Sequence, residues 1–215
     1  MKIYEYGNSN SNNILIQPIG DHDLGIIDNE VRAIEEYATD YHLFAVKVDD
    51  WNSDLSPWEA PAVFGNTGFG LGASDTLDEI MKLCRDQSKD YYIGGYSLAG
   101  LFSLWAAYQT DVFKGVAAAS PSIWFPGFVD YMKENDLKTG RVYLSLGDKE
   151  AKTRNAIMST VADRIEEAHD LIKSHGIITI LEWNKGNHFK ETDIRMAKGF
   201  GWISSETAFE RYIDQ

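Results

Sequence analysis

The sequence predicts an α/β protein, with a compact, mostly parallel sheet carrying helices on both faces. Three features predict it. Short apolar runs alternate with helical patterns along nearly the whole chain, the order that lays parallel strands side by side with their crossover helices above and below. The runs Asn13-Ile14-Leu15-Ile16-Gln17-Pro18-Ile19-Gly20 and Leu43-Phe44-Ala45-Val46-Lys47-Val48 are almost continuously apolar, as strands covered on both faces must be. At the centre, residues 91 to 107 read as a strand, a tight turn around one serine, and a helix apolar on nearly every face.

Element by element, the strand at 13–20 ends in the polar turn Gly20-Asp21-His22-Asp23. Ile27, Val31, Ile34 and Ala38 then mark one face of a helix that starts near Asp28, an acceptable N-cap. After the strand at 43–48, the stretch from Asp49 to Gly72 holds Trp51, Pro57, Trp58, Pro61, Phe64 and Phe69. It is too irregular for an element and too aromatic for a linker, so it reads as a packed functional loop. A helix from Ser74 or Asp75 to about Asp86 carries the stripe Leu77, Ile80, Met81, Cys84. The central strand and its helix, to about Gln109, lead to a strand at Gly115 to Ala119 and a turn-rich segment from Ser120 to Pro126. A short helix is expected from about Gly127 to Lys133. The strand Arg141 to Leu146 ends in Gly147-Asp148-Lys149-Glu150. Ile157, Val161, Ile165, Ala168 and Ile172 mark an amphipathic helix stopped at His175-Gly176. A last strand, Ile177 to Leu181, precedes Gly186-Asn187-His188-Phe189 and a closing helix from about Glu191 to Ser204.

The 215 residues make one domain, 1–215, large enough to build a core without disulfide or metal staples. The lone Cys84 sits in a helical apolar stripe and reads as a core residue. The first residues lack a basic region followed by an apolar core, and no stretch reaches membrane-span length, so a cytoplasmic protein without a membrane partner is expected. A net charge of −13 argues against nucleic acid and anionic membrane, since phosphate neutralisation needs clustered Lys and Arg.

Chemistry gathers at strand ends. Ser97 is flanked at two residues on each side by Gly95 and Ala99, with Gly100 following. A serine at the apex of a strand-to-helix turn needs small neighbours there, because they press on the strand and the helix; this is the steric requirement of a nucleophile elbow. The structural alternative is a serine that caps a buried helix. In the elbow, the Leu98 N–H has no intrahelical partner and can receive an oxyanion. A second donor is expected just after the first strand, near Gly20 or Asp21. Of five histidines, only His188 follows the last strand, downstream of the serine and of an acid, in the order the doubly wound hydrolases use; it is the candidate base. His22, near the expected oxyanion loop, is placed to touch substrate. The acid that holds the base in one tautomer is Glu150 or Asp148, both just past the same strand, with Glu150 favoured. The Asp21-His22-Asp23 cluster lacks a distant ligand pair for a metal, and the glycines from 65 to 72 lack a phosphate loop's lysine. No metal, nucleotide or other cofactor is expected.

With Ser97, Ser120-Pro121-Ser122-Ile123-Trp124, Gly147-Asp148-Lys149-Glu150 and Asn187-His188-Phe189 in view, residues 13 to 203 resemble an esterase family of the α/β-hydrolase superfamily, the group that includes esterase D-like and siderophore-hydrolase-like proteins. Asp111-Val112-Phe113 and Asp54-Leu55-Ser56-Pro57 also match pieces of its pattern. The resemblance implies an α/β-hydrolase fold and hydrolysis of carboxylic esters through an acyl-enzyme, with Ser97 as nucleophile and His188 as base. Tyr96 stands where the family usually has histidine, and Asn52-Ser53 stand before Asp54 where siderophore hydrolases tend to offer arginine, which speaks against a catecholate siderophore. The short N-terminal portion implies a smaller sheet with trimmed edge strands. The expected protein is a serine carboxylesterase acting on a small or medium ester, its pocket walled by Tyr96, Trp124 and, from the 51–69 loop, Trp58. The alternatives are acyl transfer on the same fold and a catalytically silent binding protein.

Overall fold

A computed structural model describes residues 1–205. Seven strands form one sheet: β1 (Lys2–Gly7), β2 (Asn13–Ile19), β3 (His42–Lys47), β4 (Asp90–Tyr96), β5 (Phe113–Ala119), β6 (Arg141–Gly147) and β7 (Ile178–Asn184). Their spatial order is β1-β3-β2-β4-β5-β6-β7. Only β1 runs antiparallel, pairing Ile3 with Val46 and Glu5 with Phe44. Among the described residues the α-helices are α1 (Ile27–Tyr37), α2 (Trp51–Asp54), α3 (Ala73–Met81), α4 (Leu98–Gln109), α5 (Phe128–Glu134), α6 (Val161–Ser174) and α7 (Thr192–Ser204). No helix among the described residues is long and apolar enough to cross a membrane.

The two-residue period of each strand divides the interior into two layers. Leu15, Tyr92, Ala117 and Tyr143 face α1 and α7, whose Ile34, Ala197, Phe200 and Ile203 complete that layer. Ile14, Ile16, Ile93, Val116, Ala118, Val142 and Leu144 point the other way, onto α3, α4, α5 and α6. Every residue of α4 from Leu98 to Tyr108 is buried, which is why its sequence is apolar on all faces. Close approach accounts for Gly94: a Cβ there would stand 2.8 Å from the Phe200 ring of α7.

Several expectations are adjusted. The N-terminal edge carries β1, which has no continuous apolar run because its side chains alternate between exposed and half-buried at the sheet margin. Asp28 lies inside the first turn of α1 rather than at the cap, which is Ile26; an acidic side chain there still suits the positive end of the helix. The amphipathic helix begins at Val161, preceded by a single 3-10 turn, Met158–Thr160, and Ile157 is exposed. The 49–72 stretch contains α2 and one antiparallel bridge, Ala60 to Phe69.

Candidate active site

Strands β4, β5, β6 and β7 lie side by side and parallel, so their carboxyl ends open onto one edge. Each delivers one part of the site. Past β4, Ser97 adopts φ 58°, ψ −119°, a strained conformation of the kind that persists only where its surroundings enforce it. Its N–H donates to Ala119 O at 3.1 Å, and its carbonyl accepts from Ser122 N–H at 3.0 Å and Leu101 N–H at 3.1 Å. The turn is tight enough that a Cβ on Gly95 would meet the Ala99 carbonyl carbon at 2.4 Å. Leu98 opens α4, where N–H groups have no intrahelical acceptor.

Past β6, the Glu150 carboxylate is almost fully buried, its side chain 4% exposed. One oxygen, Oε2, lies 2.7 Å from His188 Nδ1. The other, Oε1, accepts from Ser120 Oγ at 2.7 Å, Gly147 N–H at 2.7 Å and Arg195 Nη1 at 3.0 Å. Burial by itself would raise this carboxyl, but the hydrogen bond and charge of His188, the Ser120 hydroxyl and the Gly147 N–H together hold it below the usual glutamate range. An ionised Glu150 keeps the proton of His188 on Nδ1, which leaves Nε2 as a base.

The loop bearing His188 is tied on two sides. Asp148 accepts the Gly186 N–H at 2.8 Å through Oδ1, so this alternative acid holds the loop's backbone instead of the imidazole. From below, Arg195 Nη1 donates to the Tyr96 hydroxyl at 2.9 Å, and that hydroxyl donates to the His188 carbonyl at 2.7 Å. Burial raises the Tyr96 phenol to about 12.

Ser97 and His188 share a two-lobed cleft with Phe189. One lobe, about 340 Å³, is lined by Gln17, Pro18, His22, Asp23, Ile26, Glu30, Trp51, Tyr96, Thr192 and Met196. The other, about 360 Å³, is lined by Phe64, Ser120, Pro121, Trp124, Glu150, Met158 and Val161. Ser97 Oγ lies 3.4 Å from Ser122 Oγ. Tyr96, Trp124 and His22 border the cleft. Trp58 does not: its indole N–H donates to Pro126 O at 3.0 Å and its ring packs on Phe125, Phe128 and Tyr131, so its place is in an aromatic cluster away from the serine. On the other side, the Gly20 N–H is taken by Asp23 Oδ2 at 2.8 Å. Asp21 sends its side chain outward to Lys47 at 3.2 Å, and among the two oxyanion candidates of this loop only its N–H has no acceptor in hydrogen-bonding range among the described residues.

No family model matches the sequence. The chain is 23% identical over 149 residues to an uncharacterized protein, YbbA, of Bacillus subtilis (strain 168), a match over 62% of this chain and 59% of that one, so it spans under two thirds of this relative. Its structure superposes on an IroE-like serine hydrolase from Shewanella oneidensis with TM-score 0.75 at 14% identity, over 93% of this chain and 74% of the other. This chain has the α/β-hydrolase fold. The siderophore hydrolase EstA of Aspergillus nidulans is similar to it as well, with TM-score 0.66 and 17% identity over 93% and 86% of the two chains.

Within this α/β-hydrolase fold, four polar residues of the site escape a reading by local pattern. Arg195 interrupts the apolar face of α7 and is 1% exposed. Glu30 falls three residues after Ile27 and four before Ile34, inside the buried stripe of α1. Gln17 breaks the apolar run of β2 and is equally buried. Ser120 takes φ 43°, which turns its hydroxyl onto Glu150. A charged or amide side chain at a core position was the available signal in the first three.

Proposed function

We propose that the protein hydrolyses carboxylic esters of small or medium size through an acyl-enzyme on Ser97. The reading rests on one observation: His188 contacts a buried, ionised Glu150 at 2.7 Å on the same cleft as a serine held at φ 58°. In this reading Ser97 Oγ turns from Ser122 toward His188 Nε2, as such contacts commonly tighten only with substrate bound. Nε2 takes the hydroxyl proton while Oγ attacks the ester carbonyl carbon. The negative oxygen of the tetrahedral intermediate receives the N–H groups of Leu98 and Asp21, and each such donor contributes roughly 10²–10³ in rate. The intermediate collapses, and the alcohol leaves with the proton from Nε2. Water, giving a proton to the same nitrogen, then attacks the acyl carbon, and Ser97 departs reprotonated with release of the acid. Glu150 remains ionised throughout and stabilises the imidazolium.

Neighbours of the same fold that are described as hydrolases support a hydrolytic reaction. Among the described residues neither lobe is lined by Lys or Arg, which supports a substrate without anionic or catecholate groups. The test is covalent labelling with a fluorophosphonate, which reacts only with an activated hydroxyl, alongside turnover of p-nitrophenyl butyrate. Labelling at Ser97 and loss of both signals in Ser97→Ala are expected. Undiminished turnover by Ser97→Ala would overturn the reading.

A further inference from the structure

Gln17, Asp23 and Glu30, which border one lobe, have no part in the steps above, yet two of their acceptors are not matched from within. Glu30 is 4% exposed and Gln17 3%, and Oε1 of each lacks a hydrogen-bond partner among the described residues. They come from different elements, β2 and α1, and line the same cavity. Buried acceptors are ordinarily paired; the proton that Glu30 retains below about pH 8 can serve one of them, and above that pH two unmatched acceptors on one wall call for a donor brought from outside. Burial first, then the carboxylates of Asp23 and Asp193, push Glu30 up to about 8 against the opposing pull of the Gln17 amide, so this wall gains its full negative charge only as pH rises past that value, and among the described residues no Lys or Arg lines the lobe. Trp51 adds an aromatic surface, set edge-on to His22 at 4.6 Å, of the type that attracts cations. The opposite lobe, with Phe64, Trp124, Met158 and Val161, is apolar.

We propose that this lobe binds an ammonium group at one end of the ester substrate, with its N–H donors on Glu30 and Gln17, while the apolar end lies across Ser97 in the other lobe. The inference rests on the hydrolase reading and names the substrate class within it.

Two ester pairs test it, each exchanging an aminomethyl group for an ethyl group of the same size. They are phenyl 4-(aminomethyl)benzoate against phenyl 4-ethylbenzoate, and 4-(aminomethyl)phenyl butyrate against 4-ethylphenyl butyrate. At pH 8.5, one ammonium ester is expected to exceed its ethyl counterpart at least tenfold in kcat/KM, mainly through a lower KM. Glu30→Gln and Gln17→Met should each shrink that preference severalfold. If those variants fold poorly, the unaltered protein decides: benzylammonium should inhibit cleavage of the ethyl esters competitively, at least tenfold more tightly than benzyl alcohol. Equal kcat/KM within both pairs, or equal inhibition, overturns the inference and leaves the hydrolase reading standing, because ethyl esters are still cleaved. No turnover of any of the four overturns the inference, and labelling of Ser97 then shows whether the hydrolase reading falls with it.

Discussion

Arg195 Nη1 lies 3.0 Å from Glu150 Oε1, and both side chains are essentially removed from solvent. The guanidinium also reaches the Asn187 carbonyl at 3.2 Å through Nη2, so one residue of α7 holds Glu150 and, through Tyr96 and Asn187, the loop that carries His188. Removing one member of a buried ion pair strands the other, at a cost of about 3–5 kcal/mol. Arg195→Met should therefore lower unfolding free energy by about 3 kcal/mol in urea titrations and reduce kcat. Combined with Glu150→Gln, the loss should be well below the sum of the two single losses; simple additivity would show that the pair is not coupled.

Glu150→Gln keeps the size of the side chain but removes the charge that fixes the His188 tautomer. By comparison with acid variants of other triads, kcat is expected to fall about 10²–10⁴-fold with little change in KM. Asp148→Asn, whose side chain can still accept the Gly186 N–H, should cost less than about tenfold in kcat. Steady-state kinetics on a p-nitrophenyl ester separates the two residues, and an equal loss in both variants would contradict the division of roles between them.

Glu30 predicts a pH dependence of stability. Its carboxyl goes from the ordinary 4.5 to about 8 on folding, first through burial. Between those values the folded chain keeps a proton that the unfolded chain has released. Its favourable contribution is thus complete below about pH 4.5 and is lost as pH rises toward 8, by up to about 1.4 kcal/mol per pH unit. Urea midpoints measured at pH 5, 6.5 and 8 should fall less steeply in Glu30→Gln than in the unaltered protein. An unchanged slope in the variant would exclude Glu30 as the source.

The two tryptophans expected at the pocket should behave differently. Trp58 packs in an aromatic cluster, so Trp58→Ala should cost about 2 kcal/mol of stability and leave KM nearly unchanged. Trp124 lines the apolar lobe, so Trp124→Ala should raise KM for longer acyl or alcohol chains severalfold, which a chain-length series of esters would measure. A selective KM effect in Trp58→Ala would return that residue to the cleft.

Much of the architecture is legible because strand and helix periods are local. The apolar runs at 13–20, 91–96 and 115–119 correspond to β2, β4 and β5, and the elbow is visible because Gly95 and Ala99 must be small wherever a serine occupies that turn. Legibility ends where burial and polarity conflict. In α1 the helical period identifies Ile27 and Ile34, but a glutamate between them, at position 30, looks like a solvated charge until the packing of α1 against the sheet is known. Trp58 is apolar and adjacent to a functional loop, and nothing local distinguishes a cleft wall from a cluster on Phe125 and Phe128.

The order of residues along the chain was enough to determine the alternation of strands and helices, the placement of Ser97 at a strand-to-helix turn, and the presence of His188 and a carboxylate beyond later strands. These depend on steric and hydrophobic patterns within a few neighbouring residues. Tertiary structure alone decided that Glu150 rather than Asp148 meets the imidazole, that Arg195 supports both, and that Gln17 and Glu30 face one cavity. Those contacts join residues as much as 99 positions apart, as between Tyr96 and Arg195, and whether they form depends on strand register and helix docking, which no short stretch of sequence encodes.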